Sequence, residues 1–500
     1  MLKLDAERTF RRVAVASPIL LMRLLAWAGI AHAQITKIVI DQRVSPAFDG
    51  ASFGDAGQYE TLTGRAFGEL DPNDPRNAII TDIRLAPRNA AGKVEYMATF
   101  FLVKPVDMSR SSHLMWQYVP NRGGRITIGV AERRDGDIGL SSGWQGDNSG
   151  RTRPGPNVEY AVVPVARNAD GSPVTGRVMG RIFNESGPAS RPMLVAGNPV
   201  PYQPATLDTH DATLTTHASE SIDGMIGATT TIAAEDWAWA SCGPDNPFPG
   251  TPDPTHICLR AGFNPNLLYQ VVFTAKDPYV LGIGFAAFRD VAAFFRNAMS
   301  DRDGTPNPVA GQVSWIISRG SSQSGNFIRA MLHLGFTVDE ANRKVYDGAW
   351  PIIAGRRVAL NFRWAMPDGV LTLYEPGSEG PQWWTKWPDP VRGLPDGGIL
   401  DRCRATDSCP KIFEHFGSAE VWALKLTPEW VGTAADTDIP LPSDVRRYYI
   451  PSTTHGGGGG GFSVEPPALP MCPGAEYGRG SLPANPVPHE ETVNALRVHL

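Results

Sequence analysis

Apolar and polar residues alternate between turn residues from about position 59 to 118. The runs at 79–83, 94–102 and 114–118 predict strands, because successive side chains of a strand point to opposite faces. Between 149 and 267, prolines and glycines separate short strand-like runs such as 160–165. No long helical period occurs there, so the stretch predicts a loop-rich β insertion. The pattern then changes. A buried-strand run at 268–273 precedes 285–299, where Phe285, Phe288, Val291, Ala292 and Phe295 recur at helical spacing. A strand at 313–317, a helix from about 325 to 334 and a strand at 344–346 repeat the alternation. Strand followed by helix, twice over, predicts an α/β architecture with a mainly parallel central sheet flanked by helices. The segment 356–402 is rich in Trp, Pro and Gly without a clear period, and is long enough to be a lid-like insertion. Strands at 410–413 and 445–450 and an amphipathic helix from near Glu490 end the chain.

Composition narrows the class. With 46 basic and 51 acidic residues the net charge is −5, so the basic excess of a nucleic-acid-binding chain is missing and no nucleic-acid partner is expected. Hydrophobic residues at 42% suffice for a sizeable core, which excludes intrinsic disorder. Arg11 and Arg12 precede an apolar stretch at 13–30, and Ala31-His32-Ala33 has the small-x-small form accepted by signal peptidase. Residues 1–33 therefore read as a signal peptide, and 34–500 as one secreted or periplasmic domain without a stable membrane span. Arg23 and Pro18 interrupt the stretch and argue against an anchor. An oxidising compartment suits the cysteines: Cys242 with Cys258, and Cys403 with Cys409, are close enough to form local disulfides, leaving Cys472 over.

The strongest chemical signal is the run 313–326, in which a buried strand passes into Ser318-Arg319-Gly320-Ser321-Ser322-Gln323-Ser324-Gly325 and then a helix. This is the context of a nucleophile elbow, whose central serine needs small residues two before and two after it. Ser322 meets that need with Gly320 and Ser324; Ser324 is the weaker candidate, being flanked by Ser322 and the larger Asn326. A serine hydroxyl needs a histidine base held by a carboxylate, in the chain order serine, acid, histidine. His333 lies in the helix just after the elbow, and His489 and His499 flank or occupy the terminal helix. His455 instead follows the strand at 445–450 and precedes six glycines, Gly456 to Gly461, so it is the expected base. Glu420, beyond the strand at 410–413, is the expected acid; Glu414 is on or beside that strand, and Asp436 and Asp438 lie far along the next connection. Backbone N–H groups of Gln323, Gly123 and Gly124 are expected to form an oxyanion hole. Trp383, Trp384 and Trp387 would offer flat apolar surface to a substrate. Two other patterns carry less. Gly282-Ile283-Gly284-Phe285-Ala286-Ala287 has dinucleotide-fingerprint spacing but stands six residues past its strand, so tight helix packing is expected; His210 and His217 with Asp208 and Asp211 lack metal-ligand spacing. No cofactor and no metal are expected.

Over about 35–500 the chain resembles the large secreted bacterial α/β-hydrolase domain-containing proteins, a branch of the α/β-hydrolase superfamily. The resemblance rests on Pro120-Asn121-Arg122-Gly123-Gly124, the stretch from Ala275-Lys276-Asp277-Pro278 to Asp290, the elbow from Gly320 to Gly325, and the strand leading to His455. It implies Ser322 as nucleophile, His455 as base and Glu420 as acid. It also implies relatives that continue past the position of Leu500 to complete the final helix, an expectation that bears on stability. The expected function is an exported serine hydrolase cleaving carboxylic esters of a small-molecule or glycan-linked substrate through an acyl-enzyme. An amidase or acyltransferase using the same residues, or a non-catalytic binding protein using the tryptophans, are the alternatives.

Overall fold

The computed structural model describes residues 34–148, 155–182, 187, 189–193, 201–220, 225–366, 380–424, 426–434, 436–458 and 486–498. The expected signal peptide, Cys472, Gly459 to Gly461 and part of the 356–402 segment lie outside them.

Nine strands form the path of an 11-stranded sheet: β1 (Ile35–Val44), β2 (Gly57–Leu70), β3 (Val94–Pro105), β4 (Leu114–Tyr118), β5 (Ile138–Ser142), β6 (Trp315–Ser321), β7 (Gly348–Ile352), β8 (Lys411–Gly417) and β9 (Val445–Ile450). Their spatial order is β1-β2-β3-β5-β4-β6-β7-β8-β9. Pairing is antiparallel from β1 to β5 and parallel from β5 to β9. The sheet is thus mixed, and the mainly parallel arrangement expected holds only for its second half. The long β2 and β3 pair from Tyr59 with Pro105 to Leu70 with Val94 and extend the parallel half with an antiparallel wing. Burial follows the layering. β2 alternates buried and half-buried residues, whereas β4 and β5 are buried almost throughout, as expected for central strands covered on both faces.

On one face lie α1 (Ile283–Asn297) and α2 (Gln323–Leu334), with Phe285 stacked on Phe327 at a centroid distance of 4.7 Å. α1 approaches so closely that a Cβ on Gly284 would sit 2.0 Å from the Trp144 carbonyl oxygen. That is why glycine occurs at 284, and tight packing accounts for the fingerprint-like spacing. On the other face Trp116, Tyr118, Ile317, Trp350 and Phe413 form a second cluster against Val493 and Leu496 of α4 (Glu490–Arg497), the fourth helix labelled here after α3 (Ser418–Trp422).

Three strand expectations shift. Residues 79–83 form turns, with Asp82 at φ 63° and the Thr81 N–H donated to the Asn361 side chain. The strand expected at 344–346 comes later, as β7, because Lys344 is held in an isolated bridge to Val338. Leu268–Lys276 is a strand, but it pairs with Thr175–Ile182 and Thr213–His217 rather than with the central sheet. The β insertion therefore extends beyond 267. Its two sheets enclose a core of their own that includes Val178, Trp237, Trp239, Val271 and Phe273. Cys242 and Cys258 are bonded in a separate small cluster of the insertion with Ala240, and Cys403 is bonded to Cys409. Each histidine of the 208–217 group meets a different carboxylate, His210 with Asp208 and His217 with Glu220.

The parallel half positions the site. Cross-strand partners Tyr118 with Arg319, Ser321 with Ile352, Ile352 with His415, and Gly417 with Ile450 set the carboxyl ends of β4, β6, β7, β8 and β9 level. The loops that leave these ends converge, as they do in open α/β sheets generally.

Candidate active site

Ser322 stands between β6 and α2 at φ 60°, ψ −121°, a conformation that costs a residue with a side chain roughly 1–3 kcal/mol. Its neighbours enforce it. The Ser322 N–H donates to the Ile352 carbonyl at 2.9 Å, and Asn326 N–H donates to the Ser322 carbonyl at 2.9 Å. A Cβ on Gly320 would lie 2.5 Å from the Ser324 carbonyl oxygen, and one on Gly325 would lie 2.8 Å from that of Ile352. Only glycine fits at either place. Ser324 is fully buried and Ser322 half-buried, so of these two candidates Ser322 is the one within reach of a substrate.

His455 Nε2 lies 2.7 Å from Ser322 Oγ, and His455 Nδ1 lies 2.6 Å from Glu420 Oε1. Glu420 is fully buried in the first turn of α3, and its other oxygen accepts the Gly417 N–H at 2.6 Å. An ionised carboxylate can only accept, so Nδ1 carries the hydrogen and Nε2 presents its lone pair to the serine hydroxyl. The structure thus brings together the three residues selected from the sequence. Glu414, the other carboxylate considered, is on β8 and engaged elsewhere.

A family model for the alpha/beta hydrolase domain matches residues 158–500. The chain belongs to that family. The match takes in the elbow, Glu420 and His455 and begins after the 120–124 loop. No curated protein matches the chain.

The 120–124 loop, which precedes the matched residues, is tied to the elbow on both sides of Ser322. Asn121 Nδ2 donates to the Ser321 carbonyl at 3.2 Å, and the Arg122 N–H donates to Gln323 Oε1 at 3.2 Å. Of the two glycines expected to supply oxyanion donors, Gly124 has its N–H turned into its own loop, donating to the Asn121 carbonyl at 2.9 Å, and a Cβ on Gly123 would lie 2.9 Å from the Glu159 carbonyl oxygen. Gly123 is at φ 79°, so its lack of a Cβ serves the turn. Arg122 is the residue whose backbone N–H is linked to the elbow. Gln323 sits at the first position of α2, directly after the serine.

The tryptophans are also placed differently from expectation. Trp383 and Trp384 are each 1% exposed. Trp383 Nε1 donates to the Gly397 carbonyl at 2.6 Å and Trp384 Nε1 to Glu414 Oε1 at 2.9 Å. Trp387 begins a hairpin, Trp387–Asp389 with Leu394–Gly397, and lies against Gly432. Trp383 and Trp384 thus pack into the core and give a substrate no flat surface, because their indole N–H groups have buried acceptors to satisfy.

Trp384 reaches a buried charge network that sequence reasoning missed. Arg329 on α2 donates to Glu414 at 3.1 Å, to Glu429 at 2.8 Å and to the Gln382 carbonyl at 2.5 Å. Arg447 on β9 donates to Glu414 at 2.7 Å and also to Glu429. The network joins the nucleophile's helix, the strand leading to the acid, the strand leading to the histidine, and the Trp-rich segment. Burial, then the neighbouring Glu429, pushes Glu414 up to about 8. Burial also opposes ionisation of Glu429, but the guanidinium groups of Arg329 and Arg447 prevail and hold it below its ordinary value. A usable sequence signal existed at Arg329, which interrupts the apolar run 327–332.

His415, one residue on, is also buried. The Trp350 indole, which can only donate, lies 3.0 Å from its Nδ1, so that nitrogen must be unprotonated. Burial, with the charges of His489 and Arg319, pushes His415 down to about 3. Between about pH 6.5 and 3 the unfolded chain therefore takes up a proton that the folded chain refuses, and stability falls as pH drops through that window. His415→Gln, whose amide oxygen can still accept from Trp350, should lose less stability between pH 7 and pH 4 than the wild type in urea titrations. Equal losses would contradict this assignment.

Proposed function

We propose that the protein is an exported serine hydrolase that cleaves carboxylic esters through an acyl-enzyme. The observation that carries the reading is the continuous hydrogen-bonded line from Ser322 Oγ through His455 to Glu420, at 2.7 and 2.6 Å, built on an elbow serine at positive φ. His455 Nε2 takes the hydroxyl proton as Ser322 Oγ bonds to the ester carbonyl carbon, and the carbonyl π pair moves onto oxygen. The backbone N–H groups of Gln323 and Arg122 hold that oxyanion. Collapse of the tetrahedral intermediate breaks the bond to the alcohol, which leaves with the proton from His455. Water, deprotonated by the same imidazole, then releases the acid and restores Ser322. Glu420 keeps the imidazole in the required tautomer and stabilises its cation.

Alongside the elbow lies a cavity of about 820 Å³ that borders Ser321 and Ser324 and is lined by apolar Val119, Ile126, Ile352 and Val493 as well as by Asn121, Arg319 and His489. Apolar walls with a few polar groups suit a small organic ester. The two disulfides fit an oxidising compartment, and among the described residues no helix is long and apolar enough to cross a membrane. A binding protein that used the tryptophans has less support, since Trp383 and Trp384 are buried.

Pre-steady-state hydrolysis of 4-nitrophenyl acetate tests the reading. The expected result is a burst of one nitrophenol per chain followed by slower turnover; a folded chain with no release above the solution rate would overturn it. Glu420→Gln should lower kcat by roughly 10⁴ while leaving the fold intact, because the amide can stabilise the wrong imidazole tautomer.

A further inference from the structure

We propose that the Gln323 side chain is a latch on the oxyanion site, occupying the Arg122 N–H until a substrate carbonyl displaces it. The proposal rests on the hydrolase reading above and adds a gating role to a residue for which that reading needs only the backbone N–H.

Three observations carry it. First, Gln323 Oε1 accepts the Arg122 N–H at 3.2 Å. A carboxamide oxygen is an uncharged sp² acceptor, so it matches a substrate carbonyl in the ground state. An oxyanion is a stronger acceptor, because hydrogen bonds to a charged group are about twice as strong as neutral ones. The latch thus competes evenly with a ground-state carbonyl and loses to the tetrahedral intermediate.

Second, the loop does not depend on Gln323 for its shape. The Arg122 carbonyl accepts from Asn148 Nδ2 at 2.9 Å, the Gly123 carbonyl accepts from Glu159 N–H at 2.7 Å, and Asn121 Nδ2 holds Ser321. Each of these survives removal of the carboxamide. Third, Arg122 and Gly123 both have positive φ, at 48° and 79°. A non-glycine residue kept in this conformation stores strain of a kind that marks functional turns. Here it fixes the direction of the Arg122 N–H toward the elbow, where the 3.2 Å bond is exposed to solvent and lies at the long end of N–H···O distances.

The test compares Gln323→Met, which keeps length but has no matching acceptor, with Gln323→Glu, which places a charged acceptor on the same N–H. Second-order labelling by a fluorophosphonate and kcat/KM for 4-nitrophenyl acetate are read for both, with melting temperatures. Breaking one neutral hydrogen bond shifts an equilibrium by about two- to tenfold, so the Met variant should label and turn over about that much faster than the wild type. The Glu variant should be slower by at least the same factor, and its rate relative to wild type should recover as pH falls into the carboxyl range. A Met variant equal to or slower than the wild type overturns the latch and makes Gln323 a brace; Gln323→Ala gives the same comparison if the Met variant does not fold. Wild-type labelling at Ser322 with unchanged variant rates overturns the latch alone. No wild-type labelling overturns the hydrolase reading and the latch together.

Discussion

Ser322→Ala is expected to lower kcat for a carboxylic ester by a factor on the order of 10⁵ to 10⁶, leaving whatever rate the oxyanion donors and binding supply by themselves. The size follows from what the geometry can replace. With the hydroxyl gone, His455 has no proton to take at 2.7 Å and no covalent intermediate can form. The two backbone donors can still polarise a carbonyl toward water. The fold should survive, since the Ser322 contacts that fix the turn are made by its N–H and C=O. Ser322→Gly sharpens the argument. Glycine adopts φ 60°, ψ −121° without a Cβ penalty, so this variant should be as inactive as Ser322→Ala yet more stable than the wild type by about 1–2 kcal/mol. Ester hydrolysis measures the first part and chemical denaturation of the three proteins the second. Equal stabilities would remove the claim that the elbow stores strain.

Arg329→Met carries the second large effect. Arg329 is fully buried against Glu414 and Glu429, and Trp384 covers its guanidinium at 4.7 Å. Removing one member of a buried ion network leaves charge uncompensated in a medium that solvates it poorly, at a cost of about 3–5 kcal/mol. Glu429 is held below its ordinary value by both guanidinium groups, so Glu429→Gln should also cost stability. Urea titration at pH 7 checks both variants. A cost below about 1 kcal/mol for Arg329→Met would show that the network contributes little to the fold, against the expectation for a buried network.

Much of the site was legible in the sequence because its chemistry is constrained by chain order. A serine between small residues, a carboxylate past one strand and a histidine past the next left few choices, and Ser322, Glu420 and His455 meet in space. The donors of the 120–124 loop were less legible. Which N–H faces the elbow depends on the dihedral angles of Arg122 and Gly123, and two adjacent glycines say only that the backbone can turn. Composition misled at Trp383 and Trp384, where a segment rich in tryptophan suggested an open surface; the indoles instead satisfy a carbonyl and a buried carboxylate. The strand at Leu268–Lys276 was recognised from the buried-strand run at 268–273, but such a run alone cannot say which sheet a strand joins. Residues 79–83 have strand composition and form turns because Asn361, far along the chain, takes the Thr81 N–H. The 138–142 strand went unread, and it is the one that makes the change from antiparallel to parallel pairing.

The most direct measurement is peptide mapping by mass spectrometry after reaction of the folded chain with a fluorophosphonate. One adduct per chain, located on Ser322 and lost in Ser322→Ala, is the predicted result. An adduct on Ser324 or another serine, or a folded chain that takes up none, would contradict the assignment of Ser322 as the nucleophile activated by His455 and Glu420.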